Sequence, residues 1–235
     1  MKIVNRLLII ALLLPATTFA AGGDDPLLTK VMVDQLENRE TDEGTETVLD
    51  AQLWVGYDLN KFWFKTEVEQ FEGETEEIEV QALYSRAIAP YWDLQTGIRR
   101  DTYPETELER NWLVLGFEGL APYFFEVDAA VYLGENGRSA ARVEAEYEFM
   151  FTQRLVLSPE VEINLSGKDD PEIGIGTGLT DIEAGLRLRY EIRREFAPYI
   201  GVNWSSKFGQ TADYAEAAGE EKQKSQLVAG FKFWF

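Results

Sequence analysis

Residues 140–151 read AARVEAEYEFMF, with Glu144, Glu146 and Glu148 at every second position and Val143, Ala145, Tyr147 and Phe149 between them. On a helix those glutamates would spread around the cylinder, whereas on a strand every second side chain points to the same face. The alternation therefore specifies a strand with one charged and one apolar face. An antiparallel sheet on the surface of a soluble protein would give the same pattern, so the rest of the chain has to decide which face meets water.

Alternation recurs in about a dozen segments, near 28–38, 47–58, 61–72, 77–88, 92–102, 110–120, 123–133, 139–151, 154–166, 178–192, 198–208 and 225–235. Each is as long as a strand needs to be to cross a bilayer. Short connections fall at Asp58-Leu59-Asn60, Ala89-Pro90-Tyr91, Ala121-Pro122-Tyr123, Thr152-Gln153 and Arg194 to Pro198. Longer polar ones are ETDEGTE, GETEE, DTYPETELE, GENGRS, GKDDPEIGIGTG and FGQTADYAEAAGEEKQK. Three short turns share Ala-Pro-Tyr, at 89, 121 and 197, where a proline that lacks an N–H and fixes φ suits a turn.

Short turns at one end and long loops at the other describe an all-β, antiparallel up-and-down barrel of the outer membrane with about 12 strands. The apolar row Leu53, Val55, Tyr57, Phe62, Phe64, Leu113, Leu115 and Phe117 then faces lipid. Tyr57, Tyr91, Trp92, Tyr123, Tyr190, Tyr199 and Trp234 form an aromatic girdle at the strand ends. A soluble sandwich would account for the alternation but not for the girdle or the loop asymmetry. The final LVAGFKFWF, with Leu227, Ala229, Phe231, Phe233 and Phe235 on one face, suits a lipid-facing closing strand.

Residues 1–20, with Lys2 and Arg6 before the apolar run Leu7 to Leu14 and small residues at Ala20 and Ala21, are expected to be a cleaved signal peptide. A short lead, 21–26, would follow, and the barrel would occupy 27–235. Removing two basic residues leaves 20 Lys and Arg against 42 Asp and Glu, a formal charge of −22. Such a surface repels nucleic acid, whose binding rests on phosphate neutralisation, and favours cations. The chain has no cysteine and no histidine, which removes Ser-His and Cys-His catalysis and zinc sites built on imidazole or thiolate. No enzymatic activity and no organic cofactor are expected, and metal ligands are restricted to carboxylates, methionine and backbone.

If the apolar face meets lipid, an acidic lumen with interspersed arginines lies opposite. Candidate residues for a cation path are Met32, Asp34, Glu126, Asp128, Glu144, Glu146 and Glu148. The carboxylates either pair with arginines in a network that stiffens the wall, or stand in surplus and lower the free energy of a cation. Met32 offers a thioether suited to Cu(I), though a lone Met more often packs. The GKDDPE loop lacks the ligand spacing of an EF-hand and reads as solvated.

The blocks DPLLTKVMVDQLE, KFWFKTEVE, LYSRAIAPYWDLQTGIRRD, GLAPYFFEVDAAVYLGENGRSAARVEAEYEFMFTQRL, KDDPEIGIGTGL and GLRLRYEIRREFAPYIGVNW resemble the copper resistance protein B family of bacterial outer membranes, from about residue 25 to 235. The resemblance implies a barrel bound in outer-membrane lipid that works in copper tolerance, with copper ions as its cargo and a periplasmic multicopper oxidase as a partner. Many members carry a Met- and His-rich segment before the barrel, whereas the lead here, AGGDDP, holds neither residue. The alternatives are a general cation-selective porin and a docking barrel for the oxidase.

Overall fold

The computed structural model of the protein describes residues 25–41 and 44–235. The expected signal peptide, 1–20, and most of the lead lie outside the described residues. Strands β1 (Leu28–Glu40), β2 (Thr45–Gly56), β3 (Asn60–Phe71), β4 (Glu74–Ala89), β5 (Trp92–Tyr103), β6 (Leu108–Ala121) and β7 (Phe125–Gly134) pair antiparallel in chain order. Strands β8 (Ser139–Glu146) and β9 (Phe149–Met150) both pair with β10 (Leu155–Ser166), so they are one stave interrupted at Tyr147 and Glu148. Then follow β11 (Gly178–Tyr190), β12 (Phe196–Lys207), helix α1 (Gly209–Ala218) and β13 (Gln223–Trp234). β13 pairs with β1, which closes a barrel of twelve staves. Closure leaves no unpaired strand edge, the condition a sheet must meet to sit in lipid.

The outward row is apolar as expected: Phe62 is 64% exposed and Leu227 68%. Inside, the wall is not uniformly polar. Trp63, Leu83, Val114 and Tyr132, from β3, β4, β6 and β7, form a buried cluster against which Met32, Trp54 and Trp112 pack. The alternation contains this cluster, since Trp63 stands between outward Phe62 and Phe64, but a polar-inside rule overlooks it.

Four expectations are corrected. Alternation does not run unbroken through β1: the register shifts between Val33 and Gln35, leaving Asp34 as an extra residue opposite β2. A bulge of this kind moves every later side chain to the other face. Met32 and Asp34 line the lumen as expected, but beyond them Gln35, Glu37 and Arg39 point inward and Leu36 points out. Second, Tyr199 does not belong to the girdle. It lies inside, 5% exposed, and its hydroxyl donates to Glu37 Oε2 at 2.8 Å.

Third, and for the same reason, the Ala-Pro-Tyr at 197 is not a turn but the start of β12. The ladder to β11 begins only at Tyr199, so the missing N–H of Pro198 interrupts no bond on that side. The other two repeats are turns, with Tyr91 and Tyr123 at φ of 67° and 69°.

Fourth, the polar connections are shorter than the sequence pattern suggests. Only Gly73 of GETEE lies outside a strand, and with Glu72 it makes the whole connection, because β3 runs to Phe71 and β4 begins at Glu74. Among the described residues, long excursions remain only at 167–177 and 208–222. The second contains α1, whose Ala212 and Ala215 are buried and whose end is set by Gly219 at φ 86°, with its N–H donating to Glu216 O at 3.2 Å.

Candidate functional site

The barrel encloses a cavity of about 1360 Å³ whose lining extends from Arg194 and Trp234 at the short-turn end to Lys207 and Glu220 at the other. All seven sequence-predicted residues line it: Met32, Asp34, Glu126, Asp128, Glu144, Glu146 and Glu148. The structure separates them into groups with different chemistry.

Met32 packs against the inner apolar cluster. Asp34, the bulged residue, lies 3.1 Å from Lys232 Nζ and accepts from Gln52 Nε2 at 2.5 Å. Asp128 accepts from Lys65 Nζ at 2.8 Å, an amine that also reaches Glu118 at 3.0 Å. Glu148 is paired with Arg189. These three carboxylates are braced, because a charge-assisted bond to a cation satisfies and neutralises each of them.

Glu126, Glu144 and Glu146 have no ion-pair or hydrogen-bond partner among the described residues. Register explains why. Glu126 on β7 stands opposite Glu146 on β8, which stands opposite Glu160 on β10. One step along, Asp128 stands opposite Glu144, which stands opposite Glu162. Three adjacent staves therefore carry two rows of three carboxylates. Neighbouring strands are about 4.8 Å apart, so adjacent members of a row stand close enough to repel one another and to share a cation pairwise.

Cations stand mostly at the margins, although the charge of Lys232 on β13, which pairs with Asp34, also acts on Glu126 and Glu146. Arg187 lies 2.8 Å from Glu160, Arg142 3.3 Å from Glu162, and Lys65 holds Asp128. Asp50 on β2, likewise without a partner, acts on Glu144 across the lumen and adds to its negative field. The middle glutamates, Glu144 and Glu146, are thus flanked by acid on both sides, an arrangement that is unfavourable unless a cation enters. Among the described residues, no group of three His, Cys, Asp or Glu side chains already converges as a metal cage. The rows suit a weak, mobile cation better than a fixed one.

Two cationic crossbars divide the cavity. Arg142 on β8 reaches Glu79 on β4 at 3.1 Å and Glu67 on β3 at 3.5 Å, spanning the staves between them. Lys65 on β3 spans to β6 and β7. Arg99 supports the first, at 2.8 Å from Glu79 and stacked 4.7 Å above the Tyr132 ring. Sequence reading placed these residues on the inner face, but only closure of the barrel shows which pairs meet across it.

Among the most enclosed charged groups is one that the alternation misplaced. Glu37, 2% exposed, accepts from Arg187 Nε and Nη2, both at 2.9 Å, from Arg39 Nε at 2.7 Å and from Tyr199. Its signal in the sequence was the three-residue step from Val33 to Leu36 in an otherwise two-residue rhythm. The GKDDPE loop is also not simply solvated. Asp170 is 5% exposed between Arg110 and Arg138. Burial opposes its ionisation, but hydrogen bonds and charge from the two guanidiniums outweigh that and hold its carboxyl below the usual range. Asp169, at the surface, is held low by bonds from the Thr177 hydroxyl and N–H. With Asp170 occupied by two arginines, a calcium site in this loop is ruled out on charge.

The family model described as copper resistance protein B precursor (CopB) matches residues 27–235. Copper resistance protein B of Escherichia coli is 43% identical over 205 residues, covering 87% of this chain and 69% of that protein. A copper resistance protein B homolog of Pseudomonas syringae pv. tomato (strain ATCC BAA-871 / DC3000) is 39% identical over 212 residues, covering 90% and 71%. Among solved structures, the NanC porin superposes with a TM-score of 0.58 at 11% identity and the KdgM porin with 0.54 at 14%, each covering 88% of this chain and 99% of the porin. At those identities the porins attest the fold alone.

Proposed function

The chain belongs to the copper resistance protein B family, and from that premise we propose that this outer-membrane barrel holds copper ions weakly, or lets them pass, along the acidic side of its lumen. The observation that carries the reading is the pair of carboxylate rows on β7, β8 and β10, with neither Glu144 nor Glu146 in an ion pair at their centre and only the shared charge of Lys232 acting on Glu146. Oxygen donors of this kind suit Cu(II) and other divalent ions, whereas Cu(I) prefers thioether and thiolate ligands. Met32 is the lumenal thioether in the candidate set and is engaged in packing, so the soft-metal route has little support. Export through residues 1–20 belongs to the same proposal, as does the absence of catalysis.

The decisive variant is Glu144→Gln combined with Glu146→Gln, which keeps shape and removes charge. Cells carrying it in place of the parent should lose copper tolerance and accumulate copper differently. Unchanged tolerance and copper content would remove the lumenal route. A second reading, a general cation pore, is favoured by the size of the cavity and the porin-like fold. Planar-bilayer recording separates the two: a general pore conducts Na⁺ and K⁺ freely and gives no special response to copper, whereas a copper route shows block or altered current at low copper concentration.

A further inference from the structure

Residues 167–177 leave β10 and fold over the barrel mouth instead of extending away from it. Gly167 N donates to Ser139 O at 2.7 Å, and Lys168 Nζ to Asn136 O at 2.8 Å, which tie the segment to the β7–β8 connection. Asp170 then reaches β6, two staves farther on. Arg110 Nε and Nη2 donate to its two carboxylate oxygens at 2.8 and 3.0 Å, and Arg138 Nε approaches at 2.7 Å. Asp170 N donates to Ile175 O at 2.7 Å and Ile175 N to Asp170 O at 3.0 Å, closing the segment into a compact finger. Ile173 and Ile175 line the cavity beneath it.

Helix α1 backs the finger from the opposite side. Gly176 N donates to Thr211 Oγ1 at 2.9 Å, and a Cβ on Gly176 would stand 2.6 Å from Gln210 Cβ and 2.7 Å from Thr211 N. An ordinary surface loop is solvated and tolerant of change, whereas this one buries a carboxylate between two guanidiniums and turns two isoleucines toward an aqueous lumen. A buried pair broken on one side loses far more than a surface pair, so the fork has the strength to hold the finger down.

We propose that residues 167–177 are a lid, latched by Asp170 between Arg110 and Arg138 and backed by α1, that sets the size limit for solutes entering the lumen from this end. The latch itself stands on the contacts above; its consequence for traffic rests on the reading of the lumen as a route for cations.

The chain has no cysteine, so Ile173→Cys gives a single thiol that reports on the lid. In the full-length barrel, folded in detergent micelles and checked by heat-modifiable gel mobility, this thiol should react slowly with a bulky polyethylene glycol maleimide and faster with a small methanethiosulfonate. Adding Asp170→Asn should raise the bulky-reagent rate roughly tenfold or more, as expected for a one-sided break in a buried pair. Gly176→Val, which pushes against α1 without touching charge, should do the same and covers the case in which the Asp170 variant fails to fold. The lid is overturned if the parent thiol already reacts with the bulky reagent as fast as an unfolded control, or if neither variant changes the rate. Bilayer recording of the same proteins separates the two readings. Faster labelling without current in any variant keeps the lid and removes the passage, whereas current with unchanged labelling keeps the passage and removes the lid.

Discussion

Glu37 on β1 and Glu146 on β8 are both glutamates on the inner face of the same barrel, yet their surroundings are opposite. Glu37 is enclosed by Arg39, Arg187 and Tyr199 with every carboxylate oxygen engaged. Glu146 stands between Glu126 and Glu160 with no hydrogen bond or ion-pair contact among the described residues, and shares the charge of Lys232 with Asp34. The difference lies in where cations fall in the register. Arginines at 39 and 187 converge on the β1 and β11 wall, whereas β7 and β8 bring carboxylate against carboxylate over two rows. One wall is built as a brace; the other is left in electrostatic deficit and is the part of the lumen available to a mobile cation.

The largest effect that tests this contrast is on stability. Glu37→Ala leaves Arg39 and Arg187 enclosed with a partner removed, and a buried pair broken on one side costs about 3 to 5 kcal/mol. Urea unfolding of the barrel in micelles should show that loss; an unaltered midpoint would mean that the wall is not a brace. The companion experiment, Glu144→Gln with Glu146→Gln, should change stability by less than about 1 kcal/mol, in the favourable direction, because it relieves like-charge pairs across strands. Cation-over-anion permeability in the same protein should fall severalfold, since the uncompensated charge is what attracts cations. Loss of stability with unaltered selectivity would invert the assignment of the two walls.

Arg142→Gln addresses the crossbar between them. Removing it leaves Glu67, Glu79 and Glu162 less compensated, so conductance and cation preference should both rise, by a factor of about 2 or more on the same field argument. A drop in cation preference would place Arg142 outside the path. Acidification is a milder probe, aimed at the lid. Asp170 faces Arg110, Arg138 and the nearby Glu172, and its carboxyl is held below the usual range. A carboxyl depressed in the folded state contributes fully above its ordinary value, about 3.9, and loses its contribution as pH falls through the lower folded value. Labelling of the lid thiol, expressed relative to the unfolded control at the same pH so that the loss of thiolate cancels, should thus stay flat from neutral pH down to about pH 4 and rise only below it. The smallest effect is expected from Met32→Leu, a volume-conserving swap in the inner cluster that should cost less than about 1.5 kcal/mol and leave copper tolerance unchanged. Loss of tolerance in that variant would reinstate a thioether route.

Much of this molecule was legible before folding. Phe62, Phe64, Leu113 and Leu115 at two-residue spacing fixed the lipid face, and the same count put Glu144, Glu146 and Glu148 inside, where they are found. Failures came where local rhythm was broken. At Asp34 one extra residue changed the parity, so Glu37 and Arg39, among the most enclosed charges, stood on the wrong face of an uninterrupted pattern. Tyr199 looked like a girdle residue because it follows Ala-Pro, as Tyr91 and Tyr123 do, but the strand had already begun. Helix α1 hid in a polar stretch, although Ala212, Ala215 and a terminating Gly219 were visible there.

Strand period is a property of the backbone, and lipid on one side makes it strict, so the barrel, its acidic lumen and its two faces, β1 beyond Asp34 excepted, follow from residue order alone. Which carboxylates are neutralised is a matter of distances between strands far apart in the chain. Arg187 meets Glu37 across 150 residues, Arg142 meets Glu79 across 63 and Arg110 meets Asp170 across 60. No local rule encodes those meetings. Stave order, register and the bulge at Asp34 set them, and it takes the closed barrel to make Glu37 a brace in the wall and to leave Glu144 and Glu146 without an ion-pair contact.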